Sequence, residues 1–280
     1  MEMEQRFGRW DGLLFFLWVV AGLGAVAYVA LGRGWWLPPL ASEHGARIDF
    51  LFKTTLVITA LVFLLVQLTL GFFALRYRFR EGRPAPHFLE SRTLEALWTL
   101  IPAAILTTLI LMGGRTWSQI HSPPPPDAFV VEVTGQQFKW AFRYPGEDRT
   151  FGPTHPDLID EMNNPLGLDM KDPASQDDIF FPAGQGELHL PVNRPCLILI
   201  RSKDVLHSFF LPNFRVKMDA VPGMTTRFWF VPQRAGTFEL ACAELCGLGH
   251  YQMRGTVVVE EEEALRQWLS QQPKAADLIW

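Results

Sequence analysis

Three uninterrupted apolar runs near the N-terminus constrain this chain more than any other feature. Leu13 to Leu31 is uncharged, and no charge falls between Asp11 and Arg33. Thr54 to Leu75 lies between Lys53 and Arg76, and Ala96 to Gly114 lies between Glu95 and Arg115. Each run is close to the roughly 20 apolar residues that cross a bilayer as a helix. Inside hydrocarbon the backbone polar groups must pair within their own segment, so such runs are helical; Pro102 in the third is tolerated where neighbours satisfy the freed carbonyl. A cleaved signal peptide also has an apolar centre. Here Arg6 and Arg9 stand among acids and the run is long for a signal core, so the first run reads as a retained helix. The loop after the second run carries Arg76, Arg78, Arg80, Arg83 and Arg92 against Glu81 and Glu90. The positive-inside rule places that loop in the cytoplasm. Everything beyond Arg115 is then outside, which predicts a multi-pass protein of the inner (cytoplasmic) membrane with a C-terminal domain on the outer, periplasmic side.

The anchor is thus predicted over residues 1–120, with spans at about 13–31, 54–75 and 96–114. His121, Ser122 and the four prolines 123–126 form a stiff linker, residues 121–127. Beyond it, short alternating runs punctuated by Gly and Pro predict an all-β Greek-key sandwich over 128–262. Its strands are expected at 129–134, 138–144, 187–192, 196–201, 225–231, 237–241 and 255–259. Residues 145–180 interrupt this pattern with nine acids against Arg149 and Lys171. They read either as a solvated loop or as an acidic face for a basic electron donor, which would speed association in a salt-dependent way. Residues 263–280 read as a short surface helix and tail. Membrane lipid is a partner by construction. A net charge of −4 argues against nucleic acid as a partner.

Residues 242–253, C-A-E-L-C-G-L-G-H-Y-Q-M, concentrate two thiols, an imidazole, a thioether and a carboxylate. Thiolate and thioether are soft ligands that suit copper, and imidazole suits several transition metals. A second imidazole, His207, stands upstream in D-V-L-H-S-F-F. A Cys242–Cys246 disulfide or a zinc Cys2His2 site accounts for part of this set. Neither uses the thiols, the imidazoles and Met253 together. Two thiolates can bridge two metal ions, and two His, one Met and one backbone carbonyl would complete such a pair, so the residues read as a binuclear copper site.

The runs S-K-D-V-L-H-S-F, V-K-M-D-A-V-P-G-M and C-A-E-L-C-G-L-G-H-Y-Q-M resemble subunit II of haem-copper oxidases, the cytochrome c oxidase subunit that carries the CuA centre. The resemblance covers roughly residues 45 to 265. It implies a cupredoxin-like fold, with Cys242 and Cys246 bridging two coppers, His207, His250 and Met253 as terminal ligands, and Glu244 binding through its backbone carbonyl. The Glu244 side chain would reach a magnesium ion shared with subunit I. Glu95 would lie at the entrance of the K proton channel. Phe138, where relatives carry a Trp, and Trp140 would take electrons from a cytochrome c-type donor. The implied activity is electron delivery to haem in subunit I, which reduces O2 to water and pumps protons; the copper subunit of a nitric oxide reductase is the alternative. Three departures stand out: the extra N-terminal span, the 145–180 insertion, and Met224 where the family often has Arg.

Overall fold

A computed structural model of the chain describes residues 11–32, 36–77, 82, 84, 87 and 90–278. The topology-setting charges at Arg6, Arg9, Arg33, Arg78, Arg80, Glu81 and Arg83 lie outside them. Helices α1 (Asp11–Gly32), α2 (Glu43–Arg76) and α3 (Arg92–Ile120) occupy the three apolar runs. Each is long and apolar enough to cross a membrane. At about 1.5 Å per residue, the 22 residues of α1 already exceed a hydrocarbon core of about 30 Å. Large apolar side chains such as Leu65, Trp98 and Ile110 are exposed on these helices, as lipid-facing positions require. α3 continues through Pro102.

Two units make up the chain. One holds the helices as far as Pro38 and from Asp49 to Arg115; the other joins Pro39–Ile48 to everything from Thr116 onward. The start of α2 is therefore built into the second unit. Ser42 caps it: its Oγ accepts the Gly45 N–H at 3.2 Å and donates to the Phe214 carbonyl at 2.6 Å. Ala41 adds two backbone hydrogen bonds, to Asn213 and from Gln233, each 2.8 Å.

The second unit is a sandwich of two five-stranded sheets. The first has the order β3 (Ile179–Phe181), β2 (Lys139–Tyr144), β1 (Phe129–Gln136), β5 (Cys196–Ser202), β8 (Thr226–Phe230). The second runs β4 (Leu188–Pro191), β10 (Arg254–Glu260), β9 (Gly236–Cys242), β6 (His207–Leu211), β7 (Val216–Ala220). β1 and β5 pair in parallel, as do β4 and β10; the other ladders are antiparallel. Alternation places Val131 and Val133 of β1, Ile198 and Ile200 of β5 and Val257 and Val259 of β10 in the core. There they meet Trp140, Phe142, Phe209, Leu211, Phe214 and Phe230. Burying each of these larger side chains stabilises the fold by about 1.5–3 kcal/mol. Cys196 is a free, fully buried strand thiol, and burial pushes its pKa well up.

β6, β7 and β3 were not expected from the alternation pattern. H-S-F-F-L is buried at four of five positions, so it carries no period-two signal.

Residues 145–180 fold onto the outer face of the first sheet. Arg143, projecting opposite Phe142, is buried there between Glu132 Oε1 at 3.0 Å and Asp178 Oδ2 at 3.1 Å, and donates to the Gly152 carbonyl at 2.9 Å. Burial pushes the Asp178 carboxyl up to about 6 even though Arg143 opposes the shift. The insertion's acids mostly tie down their own backbone: Asp148, Asp160, Asp169 and Asp172 accept N–H groups two residues ahead. Glu147 pairs with Lys274 and Glu161 with Lys203. The C-terminal helix α5, after the four-residue α4 (Pro173–Gln176), spans Glu262–Ser270 and stacks Trp268 on His189 with ring centroids 3.6 Å apart. α6 (Ala275–Leu278) adds Ala275 to a small cluster with Leu168 and Phe180.

Candidate metal centre

The start of β6 and the end of β9 are brought side by side by their pairing, with Phe209 opposite Cys242. That register sets His207 beside Cys242. Residues 243–253 are the connection of the β9–β10 hairpin, closed by the Cys242 N–H to the Met253 carbonyl at 3.0 Å and anchored by the Ala243 N–H to the Ser208 carbonyl at 3.0 Å. The connection turns through Gly247, whose φ of +136° suits glycine. Phe138, at the tip of the β1–β2 hairpin, lies against Gly247 and Gly249, where a Cβ would come 3.0 Å and 2.5 Å from its ring.

The two sulfurs are 4.0 Å apart, far beyond the S–S bond of about 2.05 Å, and both cysteines are free. A metal bonds thiolate at about 2.3 Å, and twice that reach exceeds the gap, so one ion can touch both sulfurs. Each sulfur has its own pair of further donors. Cys242 Sγ lies 4.0 Å from His207 Nδ1 and 3.2 Å from the Glu244 carbonyl oxygen. Cys246 Sγ lies 3.6 Å from His250 Nδ1 and 3.7 Å from Met253 Sδ. All six residues named from the sequence thus converge, and a soft, two-fold donor set of this kind fits a pair of copper ions. His207 and Met253 are fully buried and Cys246 nearly so. Burial, and then the adjacent Cys242 thiol, push the Cys246 thiol up to about 11. Two neighbouring thiolates in such a place require positive charge between them.

Three contributors are not visible as motifs. Asp204 accepts from His207 Nε2 at 2.8 Å, from the Gln137 N–H at 2.7 Å and from the Val205 N–H at 2.7 Å. Burial pushes Asp204 up, but these bonds outweigh it and hold it below the usual carboxylate range. An ionised carboxylate only accepts, so His207 carries a proton on Nε2, which in the neutral ring leaves Nδ1, the atom facing Cys242, as the acceptor. Gln137 donates from Nε2 to the Cys246 carbonyl at 2.5 Å. Gly135 makes room for the His207 ring, which a Cβ there would meet at 3.0 Å. Asp204 was the findable one, a carboxylate three residues before a candidate ligand.

Trp140 is 2% exposed and lies beneath the site, edge-on to His207 at 6.0 Å and to Phe209 at 5.6 Å. Its position rules out direct contact with a docked protein; of the two expected electron-receiving aromatics, only Phe138 retains part of its surface. Glu95 is exposed in the first turn of α3, in the other unit. Among the described residues the grouped metal-ligating side chains are His207, Cys242 and Cys246, with no cluster of carboxylates.

Fold and site together define a membrane-anchored β-sandwich protein whose sulfur- and imidazole-rich end offers a donor set suited to a soft transition metal. Residues 129–261 match the family description "Cytochrome C oxidase subunit II, periplasmic domain", and residues 30–113 match its transmembrane domain. The chain is 43% identical over 261 residues to an alternative cytochrome c oxidase subunit 2 of Bradyrhizobium diazoefficiens, spanning 93% of this chain and 92% of that one. It is 31% identical to a cytochrome c oxidase subunit 2 of Cereibacter sphaeroides, over 83% of this chain and 78% of that one. A solved periplasmic domain of the corresponding Bradyrhizobium japonicum subunit is 28% identical, covers 53% of this chain and 95% of its own, and superposes with a TM-score of 0.38. The chain belongs to the cytochrome c oxidase subunit II family, as a membrane protein with an outward cupredoxin-like domain. The transmembrane match begins at residue 30, so most of α1 precedes it.

Proposed function

We propose that this chain is the electron-receiving subunit of a haem-copper terminal oxidase in the inner membrane. A cytochrome c-type donor docks on the outward domain, and the electron passes on to haem in subunit I, where O2 is reduced and protons are pumped. The observation that carries this reading is the pair of sulfurs 4.0 Å apart, each with its own imidazole and one further donor. A copper pair bound there supplies one-electron transfer.

The chain's own residues prepare the site. Asp204 holds the His207 tautomer, and through the Gln137 N–H it links that imidazole to the β1–β2 turn. Gln137 in turn donates to the Cys246 carbonyl, which ties the two sides of the site together. Buried Met253 keeps water from the Cys246 side of the site, which favours a constant set of donors there between redox states. Phe138, packed on the loop glycines, is the contact through which the donor reaches the site, with Trp140 behind it. Glu95 takes up protons at the cytoplasmic end of α3. Any magnesium at Glu244 draws its remaining ligands from subunit I, since among the described residues Glu244 belongs to no group of three or more metal-ligating side chains.

The test is spin resonance and copper content of the oxidized complex. Two copper ions per chain beyond those held by subunit I, with the unpaired electron shared equally between both nuclei, are expected. A single-nucleus signal, or a Cys242–Cys246 disulfide in the purified chain, refutes the reading.

A further inference from the structure

The first turns of α2, the end of α3, β7 and the neighbouring β5–β8 edge border an open cavity of about 440 Å³, lying wholly within the unit that carries the sandwich. That is the size of a small-molecule site. Its frame is fixed by hydrogen bonds and ring contacts. Trp229 Nε1 donates to the Ser122 carbonyl at 2.8 Å, and the His44 ring stands edge-on to Trp229 with centroids 4.6 Å apart. The Arg47 guanidinium donates to Gln119.

The walls are one-sided in charge. Arg215, Lys217 and Arg227 line the cavity with His44 and His121, and no Asp or Glu is among the lining residues. Lys217 and Arg227 are exposed on adjacent strands and form no ion pair among the described residues. The remaining lining is mostly apolar, including Ile48 and Ile120, which belong to the ends of two membrane-spanning helices. With the sandwich outside, those ends lie at the level of the outer headgroups. Cations beside an apolar wall at that depth match a ligand with a phosphate at one end and hydrocarbon at the other.

We propose that this cavity binds the phosphate-bearing headgroup of an anionic membrane lipid, with Lys217 and Arg227 on the phosphate and the acyl chains leaving past Ile48 and Ile120. The lipid would tie the outward domain to the bilayer surface at the point where α2 and α3 join it. The proposal rests on the outward placement of the domain and not on the copper centre.

The experiment uses the complete oxidase complex in vesicles of phosphatidylcholine, alone or mixed with phosphatidylglycerol. The acetylation rate of Lys217 is read by peptide mass spectrometry, with exposed Lys171 as internal control. Phosphatidylglycerol is expected to slow Lys217 acetylation at least fivefold and leave Lys171 unchanged. One basic group near an anionic surface is worth about 1 kcal/mol, or about fivefold, so Arg227→Gln should reduce the protection by about that factor. Equal protection by inorganic phosphate would make this a site for a free anion and overturn the proposal. Equal protection in phosphatidylcholine alone would mean that a partner subunit covers the cavity, and no protection anywhere would mean that nothing anionic binds; both overturn it as well. Copper content measured on the same samples separates a failure here from a failure of the copper reading.

Discussion

Replacing Asp204 by Asn tests the link between the sandwich and the metal centre. The carboxylate accepts three hydrogen bonds, with Oδ1 facing His207 Nε2 and the Val205 N–H, and Oδ2 facing the Gln137 N–H. An amide of the same size has one acceptor end. If its oxygen faces His207, its NH2 meets the Gln137 N–H donor to donor, and the tie to the copper loop loosens. If it turns round, its NH2 meets His207, which must move its proton to Nδ1 and so block the atom that faces Cys242. Either way a hydrogen bond to a charged group is lost, a change of about 1.5–3 kcal/mol. At about 1.4 kcal/mol per tenfold, copper affinity should fall about 10- to 100-fold, the range typical when a partner behind a metal-bound histidine is removed. Competition against a copper chelator, with the full chain, measures this directly. Asp204→Asn binding copper within about twofold of the parent, with an unchanged reduction potential, would refute the argument.

Two further predictions come from buried groups. Asp178 keeps its proton to about 6 in the folded chain, against an ordinary value of 3.8. Over that window the native state holds the extra proton, so stability falls as pH rises, by at most about 3 kcal/mol at about 1.36 kcal/mol per unit. Asp178→Asn should flatten the pH dependence of the denaturation midpoint between about pH 4 and 6, and an unaltered slope would remove Asp178 as its source. Met253→Leu preserves volume in a fully buried place and removes a soft donor 3.7 Å from Cys246. Copper should stay bound with a shifted reduction potential; a potential that does not move would exclude Met253 as a ligand.

The acidic insertion gains a different emphasis from its structure. Most of its carboxylates cap turns, pair with lysines or hold Arg143, so they account first for how residues 145–180 fold onto the sheet. Their summed charge still bears on a basic donor, and the salt dependence of electron transfer reads that contribution separately.

Legibility from sequence followed the range of the interactions. The three spans were readable because a bilayer imposes a local rule, length plus apolarity, that each segment must satisfy by itself. The candidate ligands were readable because sulfur and imidazole are chemically distinctive and five of the six proposed residues fall within one short run. Most strands were readable by alternation, but β6 was not, although it carries His207, because both its faces are buried. What only the tertiary structure decided was long-range. The β6–β9 register brings His207 to Cys242 across 35 residues of sequence. The β1–β2 turn delivers Gln137 and Phe138 to a loop more than a hundred residues away. Asp204 becomes a positioning group only when that turn arrives. Trp140 looks like half-buried Phe138 in the same alternating aromatic run, and only its packing against Phe209 of the second sheet places it out of a partner's reach. Local chemistry thus names the candidate ligands, and the pairing of distant strands decides their distances, their hydrogen-bond partners and their access to water.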